Sequence, residues 1–223
     1  MKAMILAAGR GQRMRHLTEN TPKPLLKING KSLIEYQINR LVEAGFNDIV
    51  INLSYLGEQI EQALGDGQRY GATLHYSHEG EPMLGTGGGI CKALPLLSDQ
   101  PFLVVNSDVW TDYPFEKLRT HDFKLAHLVL VENPDHNTQG DFHLNNGYLY
   151  PSGHDHLTFS GIGVYHPDLF KDCQPVPFAL APLLKQAMQV KKVTGELFNG
   201  QWVDVGTPER LQHITTLISS NPA

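Results

Sequence analysis

Leu6-Ala7-Ala8-Gly9-Arg10-Gly11-Gln12-Arg13-Met14-Arg15 decides how the rest of this chain is read. The apolar run at residues 4–8 enters a glycine turn, and Arg10, Arg13 and Arg15 follow. That run is apolar at every position, the mark of a strand covered on both faces, as in parallel sheets. A dinucleotide fingerprint needs G-x-G-x-x-G, but Met14 stands where the third glycine belongs. A P-loop needs G-x-x-x-x-G-K-[ST], which is also absent. The apolar run is too short for a secretory signal, and Arg10 and Arg13 interrupt it at once. What remains is a strand leading into glycines whose backbone N–H groups can face an anion, flanked by arginines with forked donors for phosphate oxygens. A plain tight turn with solvated arginines satisfies the loop equally well.

Working outward, residues 32–44 carry Leu33, Ile34, Ile38, Leu41 and Val42 at helical spacing. Ser32 and Glu35 form a capping-box pattern, and Gly45 closes the helix. Residues 49–53 read as a second strand, 57–64 as a helix and 73–77 as a strand. Helix follows the glycine cluster over residues 90–97, and a further buried strand spans 102–105. Strands alternating with helices at this spacing predict a parallel α/β sheet covered on both faces. From about residue 125 the texture changes. Strand-like runs at 125–131, 141–144 and 157–165 are separated by loops rich in Asn, Asp, His and Gly, and helices return at 180–189 and 207–219. This half reads as a mixed extension of the same sheet, with loops long enough to line a pocket.

The totals bound the function. A chain of 223 residues suits one domain with a sizeable core. Eighteen basic against 23 acidic side chains leave a formal charge of −5, which argues against a nucleic-acid or anionic-membrane surface. Cys91 and Cys173 lack metal spacing and read as reduced thiols of a cytoplasmic protein. No run approaches the ~20 apolar residues of a membrane helix. His154-Asp155-His156 offers no third ligand at a recognisable offset for zinc. No G-x-S-x-G elbow is present.

Thr21-Pro22-Lys23-Pro24-Leu25 supplies a partner for the opening loop. Two prolines around one lysine exclude helix and present Lys23 from a rigid, extended segment. Together, residues 6–25 resemble the signature of the sugar-1-phosphate nucleotidylyltransferases, which joins a glycine-arginine loop to a P-K-P lysine. His16 departs from the proline common there. Further resemblances run along nearly the whole chain. The stretch Glu79-Gly80-Glu81-Pro82-Met83-Leu84-Gly85-Thr86-Gly87-Gly88-Gly89 resembles the family's base-recognition loop. Val104-Val105-Asn106-Ser107-Asp108 resembles the strand end bearing its metal-binding aspartate, with Ser107 in place of the usual glycine. Gly140-Asp141-Phe142 and Phe159-Ser160-Gly161-Ile162 resemble its sugar-holding segments, and Trp202-Val203-Asp204-Val205-Gly206-Thr207 resembles its second aspartate motif.

The resemblance implies an α/β fold of the nucleotide-diphospho-sugar transferase type: a Rossmann-like mixed, mostly parallel central sheet with helices on both faces. One domain, residues 1–223, is expected, with 1–124 mainly binding nucleotide and 125–223 mainly binding sugar. The chain has no C-terminal repeat domain, so a bifunctional acetyltransferase fusion is not expected. The implied partners are a nucleoside triphosphate, UTP favoured, and a sugar 1-phosphate, acted on by a monomer or small homo-oligomer. Guanylyltransferases for mannose or heptose 1-phosphate are the alternative within the family, and a non-catalytic nucleotide-sugar sensor the alternative outside catalysis. The implied catalytic residues are Arg13, Lys23 and Asp108. The implied nucleotide site is Leu6, Ala7, Ala8, Gly9, Gly11, Arg13, Lys23, Glu81, Gly85, Thr86, Gly87 and Asp108. Asn106, Gly140, Asp141, Ser160 and Gly161 are implied for the sugar. Asp108 and Asp204 are implied for Mg²⁺, which prefers one or two carboxylates plus waters and phosphates. Whether Glu79 or Glu81 faces the base is left open, and no cation is assigned to the sugar substrate's anionic groups.

Overall fold

The computed structural model describes residues 1–220. The chain begins with β1 (Ala3–Leu6), 3₁₀ turns at Gln12–Thr18 and Lys23–Leu25, and the small hairpin β2 (Lys27–Ile28) and β3 (Lys31–Ser32). Next come α1 (Leu33–Glu43), β4 (Asp48–Leu53), α2 (Gly57–Leu64) and β5 (Thr73–His78), then α3 (Gly85–Leu97) and β6 (Phe102–Asn106). After β7 (Val109–Thr111) the second half contributes β8 (Ala126–Val131), β9 (Phe142–Asn145), β10 (Tyr148–Tyr150) and β11 (His156–Tyr165). It ends with α4 (Leu180–Gln189), β12 (Val193–Leu197), β13 (Trp202–Asp204) and α5 (Pro208–Ser220). Among the described residues no helix is long and apolar enough to cross a membrane.

Nine strands form one sheet in the order β5-β4-β1-β6-β11-β8-β12-β10-β9. The first four run parallel, with β1 between β4 and β6. Strand β11 then joins antiparallel to both β6 and β8, and the β8–β12 pair is parallel again. The sheet is therefore mixed, and its two halves share one continuous hydrogen-bonded surface.

Burial follows the alternation of the strands. Ala3 and Ile5 of β1 face a core completed by Ile34, Ile38 and Leu41 of α1 and Ile60 of α2. Met4 faces the opposite core, with Ile90 and Ala93 of α3 and Leu180 and Leu184 of α4. A third, smaller cluster of Met14, Ile28, Leu33, Val205 and Ile214 ties the first loop to the C-terminal helix. On β8, His127 is buried with Nδ1 2.9 Å from Thr194 Oγ1. Burial, helped by the neighbouring His121, lowers its pKa to about 4 and keeps it neutral at physiological pH.

Helix α1 has the expected capping box, with the Ser32 N–H donating to Glu35 Oε2 at 2.9 Å, and Gly45 follows it at φ +82°. Other expectations need adjustment. Strand β1 ends at Leu6, so Ala7 and Ala8 already belong to the loop. Lys23 sits in a single 3₁₀ turn, not an extended segment. Proline is tolerated at the start of a helical turn, where its missing N–H has no partner to lose.

The largest difference lies at α3, which begins at Gly85 and takes in the whole glycine cluster. The cause is close packing against the segment before α4. The N–H groups of Gly87 and Gly88 donate to the Phe178 carbonyl at 3.1 and 3.3 Å. A Cβ on Gly87 would overlap the Phe178 ring, and one on Gly88 would overlap the Val176 carbonyl. In an open helix, glycine to alanine gains about 1 kcal/mol; here the backbone obstacle reverses the sign. Gly88→Ala is expected to lower stability by about 1–3 kcal/mol, as overpacking does. A urea-denaturation midpoint that stays put or rises would contradict this account of the glycines.

Candidate functional site

The carboxyl ends of β4, β1 and β6 lie side by side, with Leu6 in register with Asn52 on one flank and Asn106 on the other. The chain runs from β1 outward to β4 and β5 and then returns to the far side of β1 as β6. Open α/β sheets place ligands at such a reversal, outside the strand ends. A cleft of about 500 Å³ opens there, lined by the Leu6–Arg13 loop, Lys23, Asn52, Glu79, Gly85, Thr86, Asn106, Asp108 and Gly206 among others.

Each wall has a local cause. Gly11 takes φ +64°, and a Cβ on it would stand 2.9 Å from Lys23 Cβ, so the loop closes against Lys23 only with glycine there. Its carbonyl accepts from the Met14 N–H at 2.8 Å and the Thr18 hydroxyl at 3.0 Å, which fixes the turn carrying Arg13. Lys23 is buried and its ammonium is paired with Asp108 Oδ2. Arg10 lies with its guanidinium 5.0 Å from the centre of the Tyr55 ring, within cation–π range.

Beneath the floor runs a buried polar chain. Asn52 Oδ1 accepts from the Ala7 N–H at 2.8 Å, and Asn52 Nδ2 donates to Glu79 Oε1 at 2.6 Å. Glu79 Oε2 accepts from the Leu84 N–H at 2.8 Å. One asparagine thus couples the arginine loop to the segment entering α3. Gly89 makes room for this chain, since a Cβ there would collide with Glu79 and stand 2.9 Å from Asn52 Nδ2. The residues did not single out Asn52, although a buried amide ending Ile49-Val50-Ile51-Asn52 was a visible signal.

Asp108 and Asp204, far apart in sequence, are joined by the antiparallel β7–β13 ribbon, where Asp204 pairs with Val109. The Val205 N–H also donates to the Asp108 carbonyl at 2.7 Å. Asp108 lines the cleft; Asp204 lines an adjoining cavity of about 800 Å³ with His136, Trp202, Thr207 and Arg210. Asp204 Oδ1 is paired with Arg210 and lies 3.1 Å from His136 Nε2. Gln37 of α1, which sequence also passed over, is buried and donates to the Val109 carbonyl, tying this turn to the helix.

Among the described residues no three His, Cys, Asp or Glu side chains gather as a protein-only metal cage. The donor set at Asp108 and Asp204 is two carboxylates. That suits a hard divalent cation which completes its shell with phosphate oxygens and water.

Of the expected nucleotide residues, Leu6, Ala7, Ala8, Gly9, Gly11, Arg13, Lys23, Gly85, Thr86 and Asp108 line the cleft. Gly87 is turned to Phe178, and Glu81 borders a neighbouring hollow with Tyr55 and Pro82. Glu79, not Glu81, reaches the cleft. Of the expected sugar residues, Asn106 lines the cleft, and Gly161 lies against it, since a Cβ on Gly161 would overlap the Asn106 amide. Ser160 is buried and donates to the Val129 carbonyl at 2.7 Å. Asp141 Oδ2 accepts from the Phe159 N–H at 2.8 Å and from Asn137 Nδ2 at 3.2 Å, and Gly140 packs against the His156 backbone. Gly140, Asp141 and Ser160 are thus engaged in holding the 133–141 loop and β11 and do not line the cleft.

The pattern that defines the nucleotidyl transferase family matches residues 2–142. The chain is 51% identical, over 97% of its length and 98% of the relative's, to an N-acetylmuramate alpha-1-phosphate uridylyltransferase of Neisseria meningitidis serogroup B. It is 32% identical over 94% of its length to a mannose-1-phosphate guanylyltransferase catalytic subunit beta of Xenopus tropicalis, of which it spans 62%. A solved structure assigned as a glucose-1-phosphate thymidylyltransferase of Bacillus anthracis shares the fold, with a TM-score of 0.85 at 20% identity and coverage of 97% and 94% of the two chains.

Asn52→Ala is expected to cost about 1–3 kcal/mol, because it strands the Ala7 N–H and one oxygen of Glu79 in the interior. Nucleotide affinity, measured by calorimetry, is expected to fall with it. Unchanged stability and affinity would show that the buried chain couples nothing.

Proposed function

The chain belongs to the nucleotidyl transferase family, and from that premise we propose that it transfers uridylyl from UTP to N-acetylmuramate α-1-phosphate, releasing pyrophosphate. One observation carries the chemistry. The glycine-arginine loop, Lys23 and Asp108 line one cleft at the sheet's reversal point, and the β7–β13 ribbon brings the Asp204 motif beside it. The choice of UTP and muramate rests on the 51% identical relative.

In the reaction, an oxygen of the sugar's phosphate bonds to the α-phosphorus of UTP in line with the breaking bond, and pyrophosphate leaves with that electron pair. The attacking phosphate is already ionised, so the site must position and neutralise more than it must remove a proton. The backbone N–H groups of the Gly9–Gly11 turn and the Arg13 guanidinium hold the β- and γ-phosphates and stabilise the leaving group. Lys23, fixed against Gly11, neutralises charge beside the α-phosphate. Asp108 and Asp204 would hold Mg²⁺, whose charge would offset that of the phosphates when it is bound. Asn106, with Gly161 against it, faces the sugar side. The product would return a cell-wall amino sugar to the nucleotide-sugar pool.

The test crosses UTP, GTP, dTTP and CTP with the 1-phosphates of muramate, glucosamine, mannose and heptose derivatives and measures pyrophosphate. UTP with N-acetylmuramate 1-phosphate is expected to give the highest kcat/KM. Preference for GTP with mannose or heptose 1-phosphate would move the chain to the guanylyltransferases. Asp108→Asn is expected to lower kcat by roughly 100- to 1,000-fold, the usual cost of a lost transition-state electrostatic contact. A near wild-type rate would remove Asp108 from the chemistry.

A further inference from the structure

A sugar 1-phosphate carries its own negative charge into a site already crowded by the triphosphate. Lys23 and Arg13 are committed to the nucleotide, so the sugar side needs a cation of its own. Arg210, in the first turn of α5, stands beside the Asp204 motif. It lines the cavity of about 800 Å³ beyond Asp204, and its side chain is only 18% exposed. Its guanidinium is held by Asp204 Oδ1, and Nη1 lies 2.9 Å from His136 Nε2. His136 belongs to the 133–141 loop. That loop is braced where Asn133 Nδ2 donates to the His156 carbonyl at 2.8 Å and where Asp141 accepts from the Phe159 N–H.

The geometry at Gly206 connects this cavity to the nucleotide cleft, which Gly206 lines. A Cβ on Gly206 would overlap the Arg210 guanidinium and stand 3.2 Å from Nη2 of Arg13. Two guanidinium groups therefore converge on one point, one from each cavity. Among the described residues Arg13 has no ion-pair partner, and Arg210 has Asp204 alone. At Gly206 itself two guanidinium groups face one paired carboxylate, with Glu209 acting on Arg210 only from the exposed surface; a phosphate between them would be well balanced, and guanidinium is the side chain suited to phosphate oxygens.

We propose that Arg210 receives the attacking phosphate of the sugar 1-phosphate, with the sugar seated in the cavity beside it. This rests on the function proposed above and names the sugar-side cation of that same site. The phosphate is favoured over the lactyl carboxylate because Arg210 meets the nucleotide cleft at Gly206, where the group nearest the α-phosphorus must lie. In the structure Lys23 is paired with Asp108 and Arg210 with Asp204. Asp108 and Asp204 would be the residues to hold a divalent cation, and Lys23 and Arg210, their present partners, stand where each could turn to a phosphate, Lys23 to the nucleotide's and Arg210 to the sugar's.

The test compares the wild type with Arg210→Gln and Arg210→Lys. Arg210→Gln is expected to raise KM roughly 10- to 100-fold, as loss of a charged hydrogen-bonding group does. The same factor is expected for N-acetylmuramate 1-phosphate and for N-acetylglucosamine 1-phosphate, which has no carboxylate, while KM for UTP changes less than about twofold. Arg210→Lys should recover part of the loss. Calorimetric titration of each sugar phosphate into protein saturated with a non-hydrolysable UTP analogue should show the same ratios without turnover.

A penalty confined to the muramate sugar would assign Arg210 to the carboxylate and overturn the proposal. So would an equal rise in KM for UTP, a raised Mg²⁺ requirement with sugar-phosphate affinity unchanged, or no effect. Thermal melting reports folding; if Arg210→Gln does not fold, Arg210→Lys must itself show weakened sugar-phosphate affinity with UTP-analogue affinity retained, and the lack of that would overturn the proposal. If the wild type prefers another nucleotide and sugar phosphate, the same ratios are measured on that pair. Failure of the uridylyl reading then appears in the wild type and failure of the Arg210 role only in the variants. A wild type that transfers no nucleotide to any sugar phosphate overturns both.

Discussion

The register around Leu6 is the constraint from which the site follows. Parallel hydrogen bonding aligns Leu6 with Asn52 on β4 and Asn106 on β6, so three strands end at one level. Beyond that level the backbone of β1 must turn away, and its first N–H, from Ala7, would be stranded without Asn52. The same asparagine reaches Glu79, which fixes the entry to α3, while β6 delivers Asp108 within two residues of Asn106. A slip of one residue in either pairing would exchange Met4 with Ala3 and Ile5 between the two cores, whose packing fits only one arrangement. The two cores therefore lock the alignment that the cleft requires.

The charges at the site are arranged in pairs. Lys23 with Asp108 and Arg210 with Asp204 are each largely withdrawn from solvent, where an unpaired charge is costly. Pairing satisfies both partners of each couple. Arg13, which makes no such pair among the described residues, lines the cleft.

The glycines of this chain divide by cause. Gly11 is required by a positive φ and by the approach of Lys23. Gly87 and Gly88 are required by the Phe178 segment crossing the first turn of α3, and Gly89 by the buried Glu79 carboxylate beneath it. In sequence all of them look like parts of ligand loops, because a close approach by protein and one by phosphate demand the same residue.

Local patterns were enough to reveal the alternation of strands and helices in the first half, the capped α1 and the strand ends, whereas Arg13, Lys23, Asp108 and Asp204 were picked out by the resemblance of their short motifs to those of a family. Those features depend on period, on capping chemistry and on side-chain types that lie close together in the chain. The short strands β7, β10, β12 and β13 were not legible, because a strand of three to five residues is set by its partner and not by its own period. Which glutamate reaches the cleft, what Asn52 joins, and that Arg210 and Arg13 meet across Gly206 were likewise decided only by tertiary structure. Each depends on residues brought together from distant parts of the chain by strand register and the β7–β13 ribbon, and no periodicity within one segment encodes that meeting.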